Sequence, residues 1–166
     1  KVEVADPKNK TVKLGALRVG QSVKKVIPIV NKSPAAISFR LGFTPSTPAL
    51  QDHGVLKYTP SDEISLAGNG GTTKVEVTFS PRQRIAPFSE EMLMECAGLS
   101  QPLFVVSGAC QGIHIALDVD SVPFGAVVQQ SHSQRKVVMI NDGDIGARFK
   151  WDVRNFEPDF SISPTE

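Results

Sequence analysis

Apolar and polar residues alternate along residues 73–79, and this is the clearest pattern in the chain. Val75, Val77 and Phe79 fall on one side of an extended strand, and the polar residues between them fall on the other. The alternation predicts a half-buried antiparallel strand whose apolar side faces a core. Other runs rich in β-branched, aromatic or aliphatic residues predict further strands over 23–30, 37–43, 55–59, 88–96 and 103–109.

Residues that favour turns separate these runs. Asn69-Gly70 suits the positive φ angles of a tight turn, so residues 68–71 are predicted to form a hairpin turn. Pro28 stands inside the first run and has no N–H to donate. That strand is therefore predicted to lie at a sheet edge or to carry a bulge.

A helix is weakly indicated in one place. No window keeps a helical spacing of apolar residues for ten or more positions. Residues 89–97 are rich in Glu, Met and Leu, which favour helices. Because a further β-type run follows them, we predict that they form the first arm of the last hairpin, turning near Leu99 and Ser100. Helix remains the alternative for this segment.

An internal repeat gives the domain organisation. Residues 12–41 align without a gap on residues 122–151, 110 positions later, and Gly15 and Asn31 match Gly125 and Asn141. A period near 110 residues is the size of one immunoglobulin-like sandwich. The chain is therefore predicted to be all-β, with a complete immunoglobulin-like β-sandwich over residues 1–110 and the N-terminal part of a second over 111–166. The second part lacks later strands, so we expect it to be the less stable.

Composition narrows the function classes. The 18 basic and 17 acidic residues leave a net charge of +1, which gives no electrostatic reason to expect nucleic acid as a partner. No apolar run is long enough to cross a membrane, so membrane insertion is not expected. The chain begins with Lys1 and has no signal-peptide run, and we interpret it as an excerpt of a longer protein.

The two cysteines are predicted to stay reduced. With a turn near residues 99–100, Cys96 faces a residue near 103. Cys110 then lies about 23 Å away along the partner strand, which is too far for a disulfide. Free buried thiols favour a cytoplasmic compartment.

Candidate chemistry is weak throughout. The three histidines have no metal-ligand spacing, Cys110 lacks a catalytic motif, and residues 68–72 lack the ending of a phosphate-binding loop. Turn chemistry explains Asp142 and Asp144 better than a calcium site does. We therefore predict no catalytic, cofactor-binding or metal-binding residue and no small-molecule substrate, and we expect no cofactor. The sequence does not identify a binding residue.

Three further features have ordinary explanations as well. Asn31-Lys32-Ser33 matches a glycosylation sequon, but Pro34 follows it and nothing indicates secretion. The basic residues Arg135, Lys136, Arg148 and Lys150 stand among aspartates and are predicted to form a solvated surface. Trp151 takes the place of Leu41 in the repeat and is predicted to pack in a core or between modules.

Several motifs together resemble a known family. They are the apolar-Gly pair Leu14-Gly15, the strand and turn over 26–34, Phe39, and Val77-Thr78-Phe79-Ser80-Pro81. The chain resembles the major sperm protein and PapD-like superfamily, especially the ASH-type modules of cilia and centrosomes. The resemblance covers residues 1 to about 110 and restarts over 112–166.

The resemblance implies a non-enzymatic interaction scaffold. Modules of this kind stand in tandem arrays in proteins of the ciliary axoneme, so it implies a cytoskeletal location, a role in the central pair and in cilium movement, and partners that are axonemal or microtubule-associated proteins. The basic peptide-binding groove of some family members is not carried over, because Lys24 and Lys25 point to opposite faces of a strand. The alternative is an adaptor that binds a peptide by strand addition at a sheet edge.

Overall fold

The chain forms two compact units. A computed structural model describes residues 1–166 and divides them into Lys1–Gly112, here called unit 1, and Ile113–Glu166, here called unit 2. Each unit is described by itself.

Unit 1 is a sandwich of two β-sheets. Its nine strands are β1 (Val2–Val4), β2 (Thr11–Arg18), β3 (Val23–Asn31), β4 (Ile37–Gly42), β5 (Leu56–Thr59), β6 (Ile64–Leu66), β7 (Gly71–Phe79), β8 (Ile85–Cys96) and β9 (Leu99–Gln111). One sheet has the order β1-β3-β7-β5 and the other β2-β9-β8-β4-β6. Short 3-10 turns at Pro7–Lys10 and Pro48–Leu50 are the helical elements. The predicted all-β, immunoglobulin-like class is confirmed.

The core lies between the two sheets, as the alternation predicts. Val75, Val77 and Phe79 of β7 are fully buried, while the residues between them are at least partly exposed. The Phe79 ring meets Phe88 of the opposite sheet edge-to-face, with 5.4 Å between centroids. Leu41 and Met92 contribute to the same core from the second sheet. Removing these side chains from water is the main stabilising contribution to unit 1.

Near its N-terminus the chain passes from one sheet to the other. β1 pairs with β3, and after the turn Pro7–Lys10 the chain continues as β2, which pairs in parallel with β9 in the other sheet. All other strand pairs are antiparallel.

The prediction that the strand of Pro28 lies at an edge or carries a bulge is wrong, because β3 is flanked by β1 and β7 and its register with β7 has no shift. The Pro28 carbonyl accepts from Ala5 N–H at 2.8 Å, so its ring nitrogen points to the β1 side. Pairing between β1 and β3 runs only from Asn31 to Ile29. Proline is tolerated because it stands where β1 ends, and no hydrogen bond to β7 is lost.

Two turns differ from expectation. Asn69 and Gly70 have the predicted positive φ angles, 56° and 98°, but they join β6 to β7, which belong to different sheets, so they do not form a hairpin. The β8–β9 hairpin turns at Ala97-Gly98 rather than at residues 99–100. Both turn residues have positive φ, and Gly98 adopts that conformation without steric cost.

The strand prediction for residues 89–97 is confirmed over most of its length, since β8 ends at Cys96. Its inward-facing residues include Phe88, Glu90, Met92 and Met94. Cys96 pairs with Leu99 rather than with a residue near 103. Cys110 pairs with Ile85, so the two thiols lie at opposite ends of the hairpin.

Unit 2 has little regular structure. Its strands are β10 (Ile115–Leu117) and β11 (Met139–Asn141), which pair antiparallel, with Ile115 opposite Asn141. In unit 1, β1 and β3 pair in the same register, with Val2 opposite Asn31. The repeat positions of β2 and β4 form no ladder in unit 2. In unit 1 those strands pair with β9, β8 and β6, which have no counterpart in unit 2.

Candidate interaction surfaces

A buried asparagine organises the turn after β3. The Asn31 side chain is fully buried, and its Nδ2 donates to the carbonyl oxygens of Ala35 at 2.8 Å and Ala67 at 3.1 Å. Its Oδ1 accepts from the backbone N–H of Ser33 at 3.0 Å and from the Ser33 hydroxyl. This set of hydrogen bonds, here called the Asn31 latch, ties β3 to the turn before β7. The sequon position is therefore occupied by a structural side chain.

The turn that follows β6 completes this arrangement. Asn69 N–H donates to Ser33 O at 2.7 Å, and Gly70 N–H donates to Asn31 O at 2.9 Å. The segment that leads into β7 is thus held by backbone bonds as well as by the asparagine side chain.

Unit 2 repeats the first half of the latch. Asn141 Nδ2 donates to Ile145 O at 2.9 Å, and Gly143 N–H donates to Asn141 Oδ1 at 3.1 Å. At the 110-residue offset, these two hydrogen bonds match those that Asn31 makes with Ala35 O and with Ser33 N–H. Unit 2 has no counterpart of Ala67, because the chain does not contain that position of the repeat. Asp142 and Asp144 thus lie in a turn that mirrors residues 32–34.

The backbone hydrogen bonds next to the β1–β3 pair recur next to the β10–β11 pair. Lys32 N–H donates to Lys1 O at 2.8 Å, and Asp142 N–H donates to His114 O at 3.1 Å. Ala5 N–H donates to Pro28 O, and Asp118 N–H donates to Val138 O at 3.0 Å. Positions in β10 therefore correspond to β1 at an offset of 113 residues, while β11 corresponds to β3 at 110.

The residues that form the core side of β1 and β3 have uncovered counterparts in unit 2. Val2 and Val4 are 9% and 4% exposed, whereas Ile115 and Leu117 are 38% and 41% exposed. Ile29 is fully buried, but Met139 is only half-buried. We call the side formed by Ile115, Leu117 and Met139 the open face of unit 2. The equivalent residues of unit 1, Val2, Val4 and Ile29, belong to its core.

Aromatic contacts cover another part of unit 2. The Phe160 ring lies 5.5 Å from Phe124, and the Phe149 ring lies 6.0 Å from Trp151. In the repeat, Phe149 takes the place of Phe39, which is buried in unit 1. Trp151 is half-buried against Phe149. Its packing in a closed core or between modules stays a prediction.

Arg135 is engaged locally. Its guanidinium lies 5.7 Å from the centre of the Phe124 ring and donates to the carbonyl oxygens of Pro123 and Phe124 at 3.3 and 3.4 Å. These contacts hold the segment around Phe124.

An apolar groove of unit 1 lies beside the tip of the β8–β9 hairpin. Its volume is about 310 Å³, and it is lined mainly by Val2, Ile37, Met94, Cys96 and Leu99. Leu99 is the most exposed large apolar side chain of unit 1. Lys1 is the one charged residue among those that line the groove, so the groove offers mainly apolar contact.

The sheet edges of unit 1 offer little room for an added strand. β1, β5 and β6 are three or four residues long. The longer edge strand β2 has a register shift between Lys13 and Gly15, and Gly15 has a φ of 84°. Short strands and bulges are the usual means of protecting an edge from pairing.

A buried carboxylate anchors the loop between β4 and β5. Glu90 points inward from β8 and accepts four hydrogen bonds, from the N–H and hydroxyl groups of Ser46 and Thr47, at 2.8 to 3.1 Å. Burial acts to raise the pKa of Glu90, but these hydrogen bonds outweigh it and hold the pKa below its ordinary value. We call this the Glu90 anchor.

Charged residues at the start of each unit differ. In unit 1, Lys32 and Lys1 both contact Glu3, and the hydrogen bonds from these lysines lower the pKa of Glu3 to about 2. In unit 2, His114 and Asp142 take the repeat positions of Lys1 and Lys32 and contact each other. The two units therefore place charged or titratable residues at equivalent positions, but these residues form different ion pairs.

The remaining candidate residues lie apart from one another. No group of three or more His, Cys, Asp or Glu side chains is arranged to hold a metal ion. Asp118 accepts from Val138 N–H at 2.8 Å and so joins the ends of β10 and β11. No helix has the length and apolar character of a membrane span.

Sequence reasoning missed both the latch and the Glu90 anchor. The repeat contains Asn31 and Asn141, so the importance of the position was visible, but its partners 4 and 36 residues away were not. Glu90 lies on the same side of β8 as Met92 and Met94. Because side chains alternate along a strand, this two-residue spacing could have indicated that Glu90 faces inward.

Comparison with known proteins gives strong matches to one protein. No family profile matches the chain. The chain is 48% identical over all 166 residues to the hydrocephalus-inducing protein homolog of Homo sapiens, and 46% identical to the hydrocephalus-inducing protein of Mus musculus. It spans 3% of the length of each relative. The motifs quoted above predict modules most like those of this protein, and the similarity over all 166 residues of this chain confirms that resemblance.

Solved structures give a weaker likeness. An ASH/PapD-like domain of human CEP192 matches with a TM-score of 0.47 and 18% identity, covering 66% of this chain and 84% of that domain. The fold assignment therefore rests on the strand order of unit 1 itself.

Proposed function

We propose that the chain is a non-enzymatic interaction scaffold, part of a tandem array in a ciliary or flagellar axonemal protein of the central pair that is needed for cilium motility. The observation that carries the proposal is the similarity over all 166 residues to a protein about thirty times longer, combined with a repeat inside so short a piece. A long protein assembled from such repeats presents many surfaces in series, which suits a scaffold.

Unit 2 is the opening part of a second, similar module in this proposal. The repeated register of β10 with β11 and the repeated half of the latch support it. Residues 1–110 then form one complete module, and residues 111–166 supply the first strands of the next.

The partners in this proposal are other axonemal or microtubule-associated proteins. The apolar groove at Leu99 and the outer faces of the sheets are the surfaces that unit 1 offers to them. Location in the cytoplasm, at the cytoskeleton of the axoneme, follows from the same proposal.

The adaptor alternative requires a sheet edge in unit 1 that can take a peptide. The short edges and the interruption of β2 at Gly15 weigh against it. We therefore favour binding through faces and grooves over strand addition to unit 1.

The proposal is tested by expressing the tagged chain in ciliated cells and identifying its neighbours by crosslinking and mass spectrometry. Recovery of central-pair or other axonemal proteins is the expected result. Recovery of vesicle or endoplasmic-reticulum proteins in their place would overturn the scaffold proposal and favour the adaptor.

A matched variant makes this experiment specific. Leu99→Ser removes the exposed apolar side chain at the groove without touching the core, and Val19→Ser alters an exposed valine elsewhere on unit 1. If the groove contacts the partner, the first variant loses neighbours that the second keeps.

A further inference from the structure

The Glu90 anchor is a buried charged site that the proposed scaffold role does not use. Glu90 is 8% exposed and is the one charged residue of the chain that is buried. It holds residues 46 and 47 of the loop between β4 and β5, and in the same loop Pro45 and Leu50 are buried. Leu50 belongs to the core of unit 1. The anchor therefore keeps two apolar residues of the loop in place.

The Thr47 hydroxyl occupies a special position in this anchor. Its single proton is donated to Glu90 Oε1, 2.8 Å away. The Thr47 backbone is extended, with φ −75° and ψ 115°, and Pro48 follows it. Thr47 is half-buried, but its neighbours Ser46 and Pro48 are exposed. A threonine in an extended segment with proline at the next position is the form of substrate that proline-directed protein kinases accept.

Other serines and threonines that precede proline lack this combination. The chain has such a residue at six positions, which are Ser33, Thr44, Thr47, Thr59, Ser80 and Ser163. The Ser33 hydroxyl belongs to the Asn31 latch, and the Ser80 hydroxyl bonds to that of Ser22. Of the six hydroxyls, that of Thr47 is the one bonded to a carboxylate. A change at Thr47 therefore acts directly on a buried charge.

We propose that Thr47 is a phosphorylation site and that its modification releases the β4–β5 loop from Glu90. In this step Thr47 Oγ1 attacks the γ-phosphorus of ATP bound to a proline-directed kinase. The new O–P bond forms as the bond to ADP breaks, and the hydroxyl proton passes to a base of the kinase. The product carries about two negative charges near pH 7 and has lost the proton that bonds to Glu90.

Phosphorylation and the anchor then exclude each other. A phosphate placed against a carboxylate is repelled, and the repulsion is stronger where the carboxylate is buried, as Glu90 is. Modification therefore moves Thr47 out, and Pro45 and Leu50 lose the restraint that holds them in. The same reasoning applies in reverse, since a kinase reaches the hydroxyl more readily when Glu90 does not hold it. The inference concerns unit 1 alone and does not depend on the scaffold proposal.

Kinase assays on the purified 166-residue chain test the site. The chain is incubated with ATP, Mg²⁺ and a mitogen-activated protein kinase, and the rate of phosphorylation at each position is measured by mass spectrometry. We expect phosphate at Thr47, and we expect Glu90→Gln to raise the initial rate there about fivefold or more, because it weakens the anchor. Glu91→Gln, on the exposed side of the same strand, is the matched control and should leave the rate unchanged. Absence of phosphate at Thr47, or equal rates in both variants, would overturn the proposal.

Amide hydrogen exchange on the phosphorylated wild-type chain tests the release, and it does not depend on the folding of any Glu90 variant. In the anchored loop the N–H groups of Ser46 and Thr47 donate to Glu90 at 3.1 and 2.9 Å, so they should exchange slowly. After phosphorylation we expect both to exchange at least about tenfold faster, while Val75 and Val77 of the core stay protected.

Thr47→Val separates the added charge from the lost hydroxyl bond. This variant cannot be phosphorylated but keeps the Thr47 N–H that donates to Glu90, so its amides at positions 46 and 47 should stay protected. Equal exchange in the phosphorylated and unmodified chains would overturn the release. Loss of protection at Val75 and Val77 as well would mean that phosphate unfolds unit 1, and it would also overturn the proposal.

Discussion

Units 1 and 2 share a pattern of residues but differ in how much of it becomes regular structure. In unit 1 the residues of β1, β2, β3 and β4 are all strands. In unit 2 only the counterparts of β1 and β3 form a ladder, and these are the two strands that pair with each other. Propensity alone does not make a strand, because its backbone groups need a partner strand to bond.

The same difference appears in single side chains. Asn31 has all of its latch partners and is buried, while Asn141 has half of them and is exposed. Phe39 lies in a closed core, and Phe149 is half-buried against one tryptophan. The repeat therefore provides pairs of equivalent residues in closed and open surroundings, and mutations at such pairs test the account.

The largest difference is expected between Phe39→Ala and Phe149→Ala. Phe39 is fully buried, so its truncation should destabilise unit 1 by about 3–5 kcal/mol. Phe149 makes an edge contact with Trp151 and should cost unit 2 about 1 kcal/mol. Chemical denaturation followed by circular dichroism for unit 1 and by Trp151 fluorescence for unit 2 measures both. Equal losses would mean that unit 2 has a closed core.

A smaller difference is expected between Asn31→Ala and Asn141→Ala. The first leaves the carbonyls of Ala35 and Ala67 and the Ser33 N–H without their partner, and should cost about 2–4 kcal/mol. The second leaves groups that water can reach, and should cost about 1 kcal/mol or less. The same denaturation experiment applies, and a cost below about 1 kcal/mol at Asn31 would contradict its role as a latch.

The smallest effect concerns pH and Glu90, whose environment has no counterpart in unit 2. The folded-state pKa of Glu90 lies below its ordinary value of 4.5, so the carboxylate stabilises unit 1 above pH 4.5. That contribution is lost as the pH falls through the folded-state pKa. Glu90→Gln should therefore lower stability by about 1 kcal/mol at pH 7 and reduce its dependence on acid.

The control for this experiment is Glu91→Gln, on the exposed side of the same strand. It should leave the stability of unit 1 and its acid dependence nearly unchanged. An equal response of both variants would mean that the four hydrogen bonds to Glu90 do not distinguish it from a surface carboxylate.

Much of the fold could be predicted from alternation and turn residues. Residues 73–79 form the predicted strand with the predicted buried side, and Gly15 and Gly125 share a positive φ as the repeat indicates. The strands β1, β2 and β6 were not predicted. β1 and β6 are three residues long, and so short a run carries almost no periodicity. The position of the Pro28 strand was predicted wrongly because an interior strand accepts a proline only where its neighbour, here β1, ends.

The interaction surfaces were less predictable because they depend on distant residues. The burial of Glu90 is possible only because Ser46 and Thr47, more than 40 residues earlier, supply four donors. The open face of unit 2 could be expected from the repeat. Its residues became identifiable only through the register of β10 with β11.

Amide hydrogen exchange on the 166-residue chain tests the central claim, that unit 2 is an uncovered counterpart of the N-terminal part of unit 1. The account predicts slow exchange at Ile29 and Asn31, which bond to β7, and exchange faster by orders of magnitude at Met139 and Asn141. Within unit 2, Asp118 and Asp142 should exchange more slowly than Met139 and Asn141, because their N–H groups are bonded across the β10–β11 pair. Equal protection of Met139, Asn141, Ile29 and Asn31 would contradict it.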